Sequence, residues 1–167
     1  CHFRKDKSDK TLILVGDSVM QSIASSIKEE AFENNYNFLV MNGDVLTRLN
    51  PTKLIRFHED NNSVATLSVR EHKTIIPFGV VNTNEIELES FTEKPEYTHL
   101  VNAGVYIINP EVLELIPKNV SLDMPTLLQE VKNKGKSVNV FPIHEYWVDV
   151  GRPETMEEAQ VKWEEQI

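Results

Sequence analysis

Short apolar runs alternate along this chain with stretches in which apolar residues recur at helical spacing. The β-rich runs predict strands at residues 11–15, 38–41, 64–70, 77–81, 86–95, 102–109, 137–143 and 146–150. The helical spacing predicts helices at residues 19–32, 51–60, 111–116, 123–136 and 153–163. Asn50-Pro51 is a typical helix start, and Gly135 is a typical helix end. This alternation of strands and helices predicts a layered α/β fold with a mixed, mostly parallel sheet.

Two aspartates follow apolar runs at places where such a sheet exposes its strand ends. Asp44 closes the tripeptide Asn42-Gly43-Asp44, and Asp149 ends the last run, two residues before Gly151. Ligands of open α/β sheets bind at the carboxyl ends of strands. Two carboxylates there suit Mg²⁺, which takes one or two of them together with substrate phosphates and water. Asn-Gly-Asp is also a common turn sequence. Each aspartate is therefore either a metal ligand or a residue that serves only in a turn or cap.

Four further residues are candidates for contacts with a ligand. Lys94 precedes a proline at a strand end, where a lysine can meet a phosphate as a point charge, and Glu93 beside it can accept hydrogen bonds from sugar hydroxyls. Gly79 interrupts a strand, which indicates a bulge or a close ligand. Asn102 opens Asn-Ala-Gly before a buried strand, which suits a ligand wall. The alternative interpretation of Glu93 and Lys94 is a solvated ion pair at a strand end. The alternative interpretation of Asn-Ala-Gly is a tight turn.

Other side chains point to a packed core. His58 lies on an apolar helix face and is expected to be a hydrogen-bonded core histidine. Four aromatic residues are expected to lie in the core and not to form a platform on which a base stacks, namely Phe57, Phe91, Tyr106 and Trp147. The sequence contains no P-loop, no Gly-x-Ser-x-Gly elbow and no Cys/His cluster.

Composition and charge narrow the class of protein. The chain has 167 residues and a formal net charge of -9, which argues against a nucleic-acid binder that neutralises many phosphates. A single cysteine fits a reducing compartment, and no apolar stretch approaches the about 20 residues that span a bilayer. We therefore expect a cytoplasmic protein with no nucleic-acid or membrane partner.

Five motifs follow one another in an order that resembles the sugar-phosphate nucleotidyltransferase family. They are FLVMNGD, PFGVV, FTEKP, NAGVYIINPEVL and YWVDVGRPE, and the likeness covers roughly residues 37–160. IPKNVSLDMPTLLQEV and FPIHEYWVDVGRPE resemble the mannose-1-phosphate guanylyltransferase branch. The resemblance implies a layered, Rossmann-like nucleotidyltransferase fold. It also implies a reaction in which a sugar 1-phosphate and a nucleoside triphosphate, with GTP favoured, give a nucleotide sugar and pyrophosphate.

The resemblance also assigns roles to individual residues. Asp44 and Asp149 match the two metal-binding aspartates, which hold Mg²⁺ or Mn²⁺. Lys94 matches the lysine that contacts the sugar phosphate, and Glu93 matches the residue that bonds sugar hydroxyls. Gly79 and Asn102 match other positions of the sugar pocket.

The sequence departs from the family's pattern in its first part. The family's Gly-Gly-x-Gly-x-Arg-Leu loop and Pro-Lys-Pro segment, which serve the triphosphate, have no counterpart here. Gly16 and Asp17 fall near the motif that helps to bind the base, and residues 1–36 match the family poorly. We therefore expect residues 1–167 to form a single, partial domain whose N-terminal unit is missing or altered. Such a fragment is expected to turn over weakly or not at all, and an exposed sheet edge would favour a homo-oligomer.

Two alternatives stay open at this point. One is a non-catalytic module that binds sugar phosphate or nucleotide on the same fold and acts in regulation. The other is a flavodoxin-like α/β domain with an unrelated function. The flavodoxin-like domain would hold the Asp44 and Asp149 carboxylates more than about 8 Å apart, too far to share one Mg²⁺.

Overall fold

The centre of the molecule is a six-stranded mixed sheet. The computed structural model describes residues 4–5, 11–16, 36–117, 122–151, 155–156 and 159. The strands are β1 (Arg4–Lys5), β2 (Thr11–Val15), β3 (Asn37–Met41), β4 (Val45–Thr47), β5 (Ala65–Ile75), β6 (Val80–Asn84), β7 (Glu87–Thr92), β8 (Glu96–Ile108), β9 (Val138–Pro142) and β10 (Trp147–Asp149).

The sheet has the order β1-β2-β3-β8-β5-β9. Strands β2, β3, β5 and β9 run in one direction, and β1 and β8 run in the other. The predicted mixed α/β sheet is therefore confirmed. Four of the six described strands run in one direction, but only two of the five pairings between them are parallel. β8 lies between β3 and β5, so both of its own pairings are antiparallel.

Helices cover both faces of the sheet. Helix α1 (Pro51–Asp60) packs Leu54 and Ile55 against one face, and helix α2 (Met124–Asn133) packs on the opposite face beside a 3-10 helix, Pro110–Leu115. Alternate residues of β3 divide between the two cores, which are hydrophobic throughout. Leu39, Val105 and Ile107 face α1, whereas Phe38, Val40, Tyr106 and Ile108 face α2.

The helix ends follow from local side-chain chemistry. Asn50 accepts a hydrogen bond from the backbone N–H of Thr52 at 3.0 Å, which satisfies one of the free donors at the start of α1. Asp123 does the same for Thr126 at the start of α2, at 2.7 Å. Gly135 has a φ of +74° and ends α2, as expected, while the predicted helix 111–116 is a 3-10 helix.

Two strands extend well past the core. β5 and β8 stay paired as far as Ile75 and Glu96, and the β6–β7 hairpin lies between them in the chain. Phe91 on β7 is 60% exposed, so its predicted place in the core is wrong. The reason is that β6 and β7 form a separate two-stranded sheet whose side chains are nearly all exposed.

Some sequence-based expectations fall outside the part that can be described. Asp17 and the predicted helix 19–32 lie there entirely, and most of the predicted helix 153–163 does too. Within the described residues, no helix has the length and apolar character needed to cross a membrane.

Candidate functional site

A short antiparallel ribbon brings the two candidate metal ligands together. β4 pairs with β10, and the register sets Val45 opposite Asp149. The backbone N–H of Val150 donates to the carbonyl oxygen of Asp44 at 2.8 Å, which closes the ribbon at that end. The two aspartates therefore meet through a ribbon beside the sheet. The sequence predicts that they meet at the ends of strands in a mostly parallel sheet, whereas β4 and β10 are antiparallel.

The Asn42-Gly43-Asp44 segment is a tight turn at the end of β3. The Asn42 N–H donates to the Gly104 carbonyl oxygen at 2.9 Å, and the Val45 N–H donates to the Asn42 carbonyl oxygen at 3.3 Å. Asp44 is thus part of a tight turn, and the turn also fixes the direction in which its side chain leaves the backbone. The two interpretations of this residue are compatible.

The carboxylates converge on Gly151. A Cβ built on Gly151 would lie 3.0 Å from Asp149 Oδ1 and 3.2 Å from Asp44 Oδ2. Both oxygens are thus close to a single point, and their separation is well below the about 8 Å that a flavodoxin-like alternative requires. That alternative is contradicted by this geometry.

The oxygen atoms of this pair fit a hard divalent cation. Asp149 Oδ1 accepts a hydrogen bond from the Gly151 N–H at 2.8 Å. Asp44 Oδ1 is buried and has no hydrogen-bond partner among the described residues, although a buried carboxylate oxygen needs a donor or a cation. Two carboxylates leave most positions of a Mg²⁺ ion to phosphate and water, as that ion prefers. No set of three or more His, Cys, Asp or Glu residues suited to a metal occurs in the described ranges.

The middle of β8 forms the wall beside Asp44. Gly104 has a φ of +69°, and a Cβ there would come within 2.9 Å of Val45 and 3.0 Å of the Asn42 side chain. The glycine lets the Asn42–Val45 turn approach β8 closely. Asn-Ala-Gly is therefore part of a strand in which one residue has a left-handed φ. The alternative interpretation of these three residues as a tight turn is wrong.

Asn102 uses its side chain within β8. Its Nδ2 donates to the Tyr106 hydroxyl oxygen at 2.7 Å, and its Oδ1 accepts from the Gly104 N–H at 2.9 Å. Burial raises the pKa of the Tyr106 phenol above its usual value. Asn102 also lines a cavity of about 350 Å³ against α2, together with Leu67, Leu128 and Val140.

The remaining predicted residues gather at the base of the β6–β7 hairpin. Gly79 directly precedes β6, and Glu93 and Lys94 directly follow β7. Both charged side chains are exposed, and Lys94 has a φ of +43°, which is uncommon for a residue with a side chain. Among the described residues, no hydrogen bond or ion pair involves either side chain.

Gly16 stands at the end of β2, where its N–H donates to the Met41 carbonyl oxygen at 3.1 Å. This bond places it at the same end of the sheet as the turn that carries Asp44. The structure therefore brings Gly16, Asp44 and Asp149 to one end of the sheet and groups Gly79, Glu93 and Lys94 at the hairpin.

Gly151 and Trp147 were not predicted as site residues from the sequence, and Gly104 was considered only as part of Asn-Ala-Gly. Gly151 leaves room for the two carboxylates, and Gly104 leaves room for Val45 and the Asn42 side chain. Trp147 donates its indole N–H to the Ala103 carbonyl oxygen at 2.8 Å. The spacing Asp-x-Gly at the end of a strand was a usable signal for Gly151. The Trp147 bond joins positions that are distant in the sequence, and no local pattern predicts it.

His58 is a hydrogen-bonded core residue, as expected. It is 2% exposed; its Nδ1 pairs with the Thr66 hydroxyl at 2.8 Å and its Nε2 with Asn109 Oδ1 at 2.7 Å. Because an amide oxygen can only accept, Nε2 carries the proton and Nδ1 accepts from Thr66. Burial lowers the pKa of His58.

Comparison with solved structures identifies the architecture as the α/β nucleotidyltransferase fold. A Bacillus anthracis protein assigned as a glucose-1-phosphate thymidylyltransferase, crystallised with a sucrose, superposes with a TM-score of 0.60 at 17% identity. The match covers 95% of this chain and 62% of that one. The family model described as Nucleotidyl transferase matches residues 5–166, and the chain belongs to that family.

Curated relatives include enzymes for two different nucleotide sugars. A glucose-1-phosphate adenylyltransferase of Clostridium perfringens (strain 13 / Type A) is 29% identical over 154 residues, which are 83% of this chain and 39% of that protein. A mannose-1-phosphate guanyltransferase of Yarrowia lipolytica (strain CLIB 122 / E 150) is 33% identical over 121 residues, 70% of this chain and 33% of that protein. The chain thus spans no more than about two-fifths of the length of these relatives.

Proposed function

We propose that this chain carries the metal and sugar 1-phosphate half of an enzyme that forms a nucleotide sugar. The observation that supports this most directly is the convergence of the Asp44 and Asp149 oxygens on the space beside Gly151. In the reaction, a phosphate oxygen of the sugar 1-phosphate attacks the α-phosphorus of a nucleoside triphosphate. A new P–O bond forms, the bond from the α-phosphorus to the bridging oxygen breaks, and pyrophosphate leaves with that oxygen.

Asp44 and Asp149 would hold Mg²⁺, or Mn²⁺, which when bound neutralises the phosphates that must approach each other. The backbone bonds of the Asn42–Val45 turn and of the ribbon keep both carboxylates in place before substrate arrives. Such preorganisation suits phosphoryl chemistry, which depends on positioning and charge neutralisation more than on a covalent nucleophile.

Glu93 and Lys94 would supply the contacts to the sugar 1-phosphate. Lys94 offers a cation to the phosphate, and Glu93 offers acceptor oxygens to the hydroxyls. Their side chains are exposed and make no hydrogen bond or ion pair with another described residue, so both are available to a ligand. Asn102 would contribute as part of the wall, with its amide already oriented by Tyr106.

The base and the turnover of this chain belong to the same proposal. The branch-specific motifs and a mannose-1-phosphate guanyltransferase among the relatives favour GTP, although an adenylyltransferase is similarly related. The 167 residues contain no Gly-Gly-x-Gly-x-Arg-Leu loop, and we expect them alone to release pyrophosphate very slowly. A cytoplasmic location and self-association stay predictions. The alternative function is a regulatory module that binds the same ligands without catalysis.

The first experiment is calorimetric titration of the chain with a sugar 1-phosphate in the presence and absence of Mg²⁺. We expect Mg²⁺-dependent binding that Asp149→Asn weakens by more than about tenfold. Asp60→Asn is the matched control, because Asp60 is an exposed carboxylate at the far end of α1. Binding that is independent of Mg²⁺, or equal in Asp149→Asn and Asp60→Asn, would contradict the metal site. Slow pyrophosphate release that Asp149→Asn abolishes, measured with several triphosphates, would distinguish the enzyme from the binding module.

A further inference from the structure

The β6–β7 hairpin contains a close contact between Gly79 and the ring of Phe91. A Cβ built on Gly79 would collide with Phe91 Cζ and would lie 2.8 Å from Cε1 and 3.0 Å from Cε2. The outer edge of the ring therefore occupies the space in which any other residue at position 79 would place its side chain. Gly79 directly precedes β6, and the lack of a side chain there permits this close approach.

The strand register explains why the two residues meet. Val80 pairs with Thr92 and Val81 pairs with Phe91, so Gly79 and Phe91 are diagonal neighbours on the same face of the hairpin. An aromatic ring laid across a glycine on the neighbouring strand covers backbone that would otherwise be bare, and it fixes the register of the two strands.

This contact lies where Glu93 and Lys94 leave the hairpin. Phe91 precedes Glu93 by two residues, and the Ile76 N–H donates to the Pro95 carbonyl oxygen at 3.1 Å on the other side of the pair. The segment 93–94 is thus held between the ring contact and this hydrogen bond. Because the other side chains of β6 and β7 are almost all exposed, few other contacts can fix the hairpin's direction.

We propose that Phe91 is a positioning residue for sugar 1-phosphate binding and that Gly79 acts by admitting its ring. The ring holds the base of the hairpin, and the hairpin holds Glu93 and Lys94 in the conformation that includes the left-handed φ of Lys94. The inference rests on the proposed function, since it assigns Glu93 and Lys94 to the sugar 1-phosphate.

Two substitutions test the pair. Gly79→Ala forces the ring away, and because Phe91 is 60% exposed the ring can turn into solvent without unfolding the chain. Phe91→Leu removes the three ring atoms that a Cβ at position 79 would strike. The double variant Gly79→Ala with Phe91→Leu therefore has room for the alanine, and Ile86→Ala, at a 97% exposed position of the hairpin turn, serves as the control.

The measurement is the dissociation constant for a sugar 1-phosphate at saturating Mg²⁺, by calorimetry on the whole chain. We expect Gly79→Ala to weaken binding roughly tenfold in the unaltered background and less than about twofold in the Phe91→Leu background. Ile86→Ala should bind as the unaltered chain does. Hydrogen exchange at Ile76 should speed up in Gly79→Ala, since its bond to Pro95 adjoins the displaced ring.

The outcomes separate the two proposals. An equal loss from Gly79→Ala in both backgrounds, with binding by the unaltered chain intact, would mean that Gly79 itself meets the substrate, and this would overturn the role given to Phe91. No Mg²⁺-dependent binding by the unaltered chain would overturn the proposed function together with this inference.

Discussion

Trp147 donates its indole N–H to the carbonyl oxygen of Ala103 at 2.8 Å, and this bond ties the ribbon of Asp149 to the central strand of the sheet. The ribbon itself has only three paired positions, which would leave the direction of β10 poorly fixed without a side-chain anchor. The Trp147 bond is therefore one of the contacts that position Asp149, the candidate metal ligand two residues after it.

Loss of that bond should affect stability and metal binding together. We expect Trp147→Phe to lower the free energy of unfolding by about 1 kcal/mol, since the ring is kept and the donor is lost. We also expect it to weaken Mg²⁺ binding, because Asp149 loses its anchor. Urea denaturation and Mg²⁺ titration of the same preparation measure both. A stability loss with unchanged Mg²⁺ affinity would show that the ribbon is held in other ways.

Gly104 and Gly135 form a matched pair for measuring how tightly the site is packed. Both have a positive φ, +69° and +74°, but a Cβ at Gly104 would strike Val45 and Asn42 whereas a Cβ at Gly135 would meet nothing within 4 Å. Gly135→Ala should lose about 1 kcal/mol from backbone strain alone. Gly104→Ala should lose roughly 1–3 kcal/mol more, from overpacking beside Asp44. Equal losses of unfolding free energy in the two variants, measured by urea denaturation, would mean that the Asn42–Val45 turn moves aside at little cost.

Gly151→Ala should separate the metal site from the stability of the fold. Gly151 has no positive φ, so alanine is not strained there, but its Cβ would lie 3.0 Å and 3.2 Å from the two carboxylates. We expect Mg²⁺ affinity to fall by about tenfold while the unfolding free energy stays within about 0.5 kcal/mol. If Mg²⁺ binding is unchanged, the cation does not use the space beside Gly151.

His58 should make the fold less stable in mild acid. Burial lowers its pKa from the ordinary value of 6.5, so below pH 6.5 the unfolded chain takes up a proton that the folded chain does not. The unfolding free energy should therefore be unaffected by this residue above pH 6.5, and it should decrease as the pH falls from there toward the lowered pKa.

Urea denaturation at pH 7.5 and 5.5 measures this effect, with NMR titration of the imidazole as the direct check. His58→Gln should show a smaller difference between the two pH values, and His144→Gln, at an exposed position, should behave as the unaltered chain does. An imidazole that titrates at or above 6.5 would contradict the prediction.

Local patterns predicted the elements that are buried and regular. The runs 11–15 and 38–41 and the helix after Asn50 were all recognisable, because apolar spacing and a capping side chain record burial and helix starts directly. The first half of β8 was missed, since residues 96–101 are mainly exposed and carry no alternation that reveals a strand. Phe91 was misplaced because an exposed hairpin can hold an aromatic ring against a glycine.

The candidate site was partly predictable for a different reason. Asp44 and Asp149 could be selected because each ends an apolar run, and the family resemblance assigned them a common role. The strand pairing that brings the two aspartates together could not be predicted, because β4 has three residues and is too short to show a recognisable strand pattern. The glycines that make room around them depend on distances across the fold, which no window of sequence contains.

The β4–β10 ribbon also has a consequence for the order of events in folding. Asp44 is synthesised about a hundred residues before Asp149, and the ribbon can form only when a loop of that length closes. On the ribosome, β3 and α1 can therefore become compact while Asp44 still lacks its partner carboxylate. The candidate cation site is then among the last features to be completed, and a cation that needs both carboxylates can have little part in guiding the earlier steps of collapse.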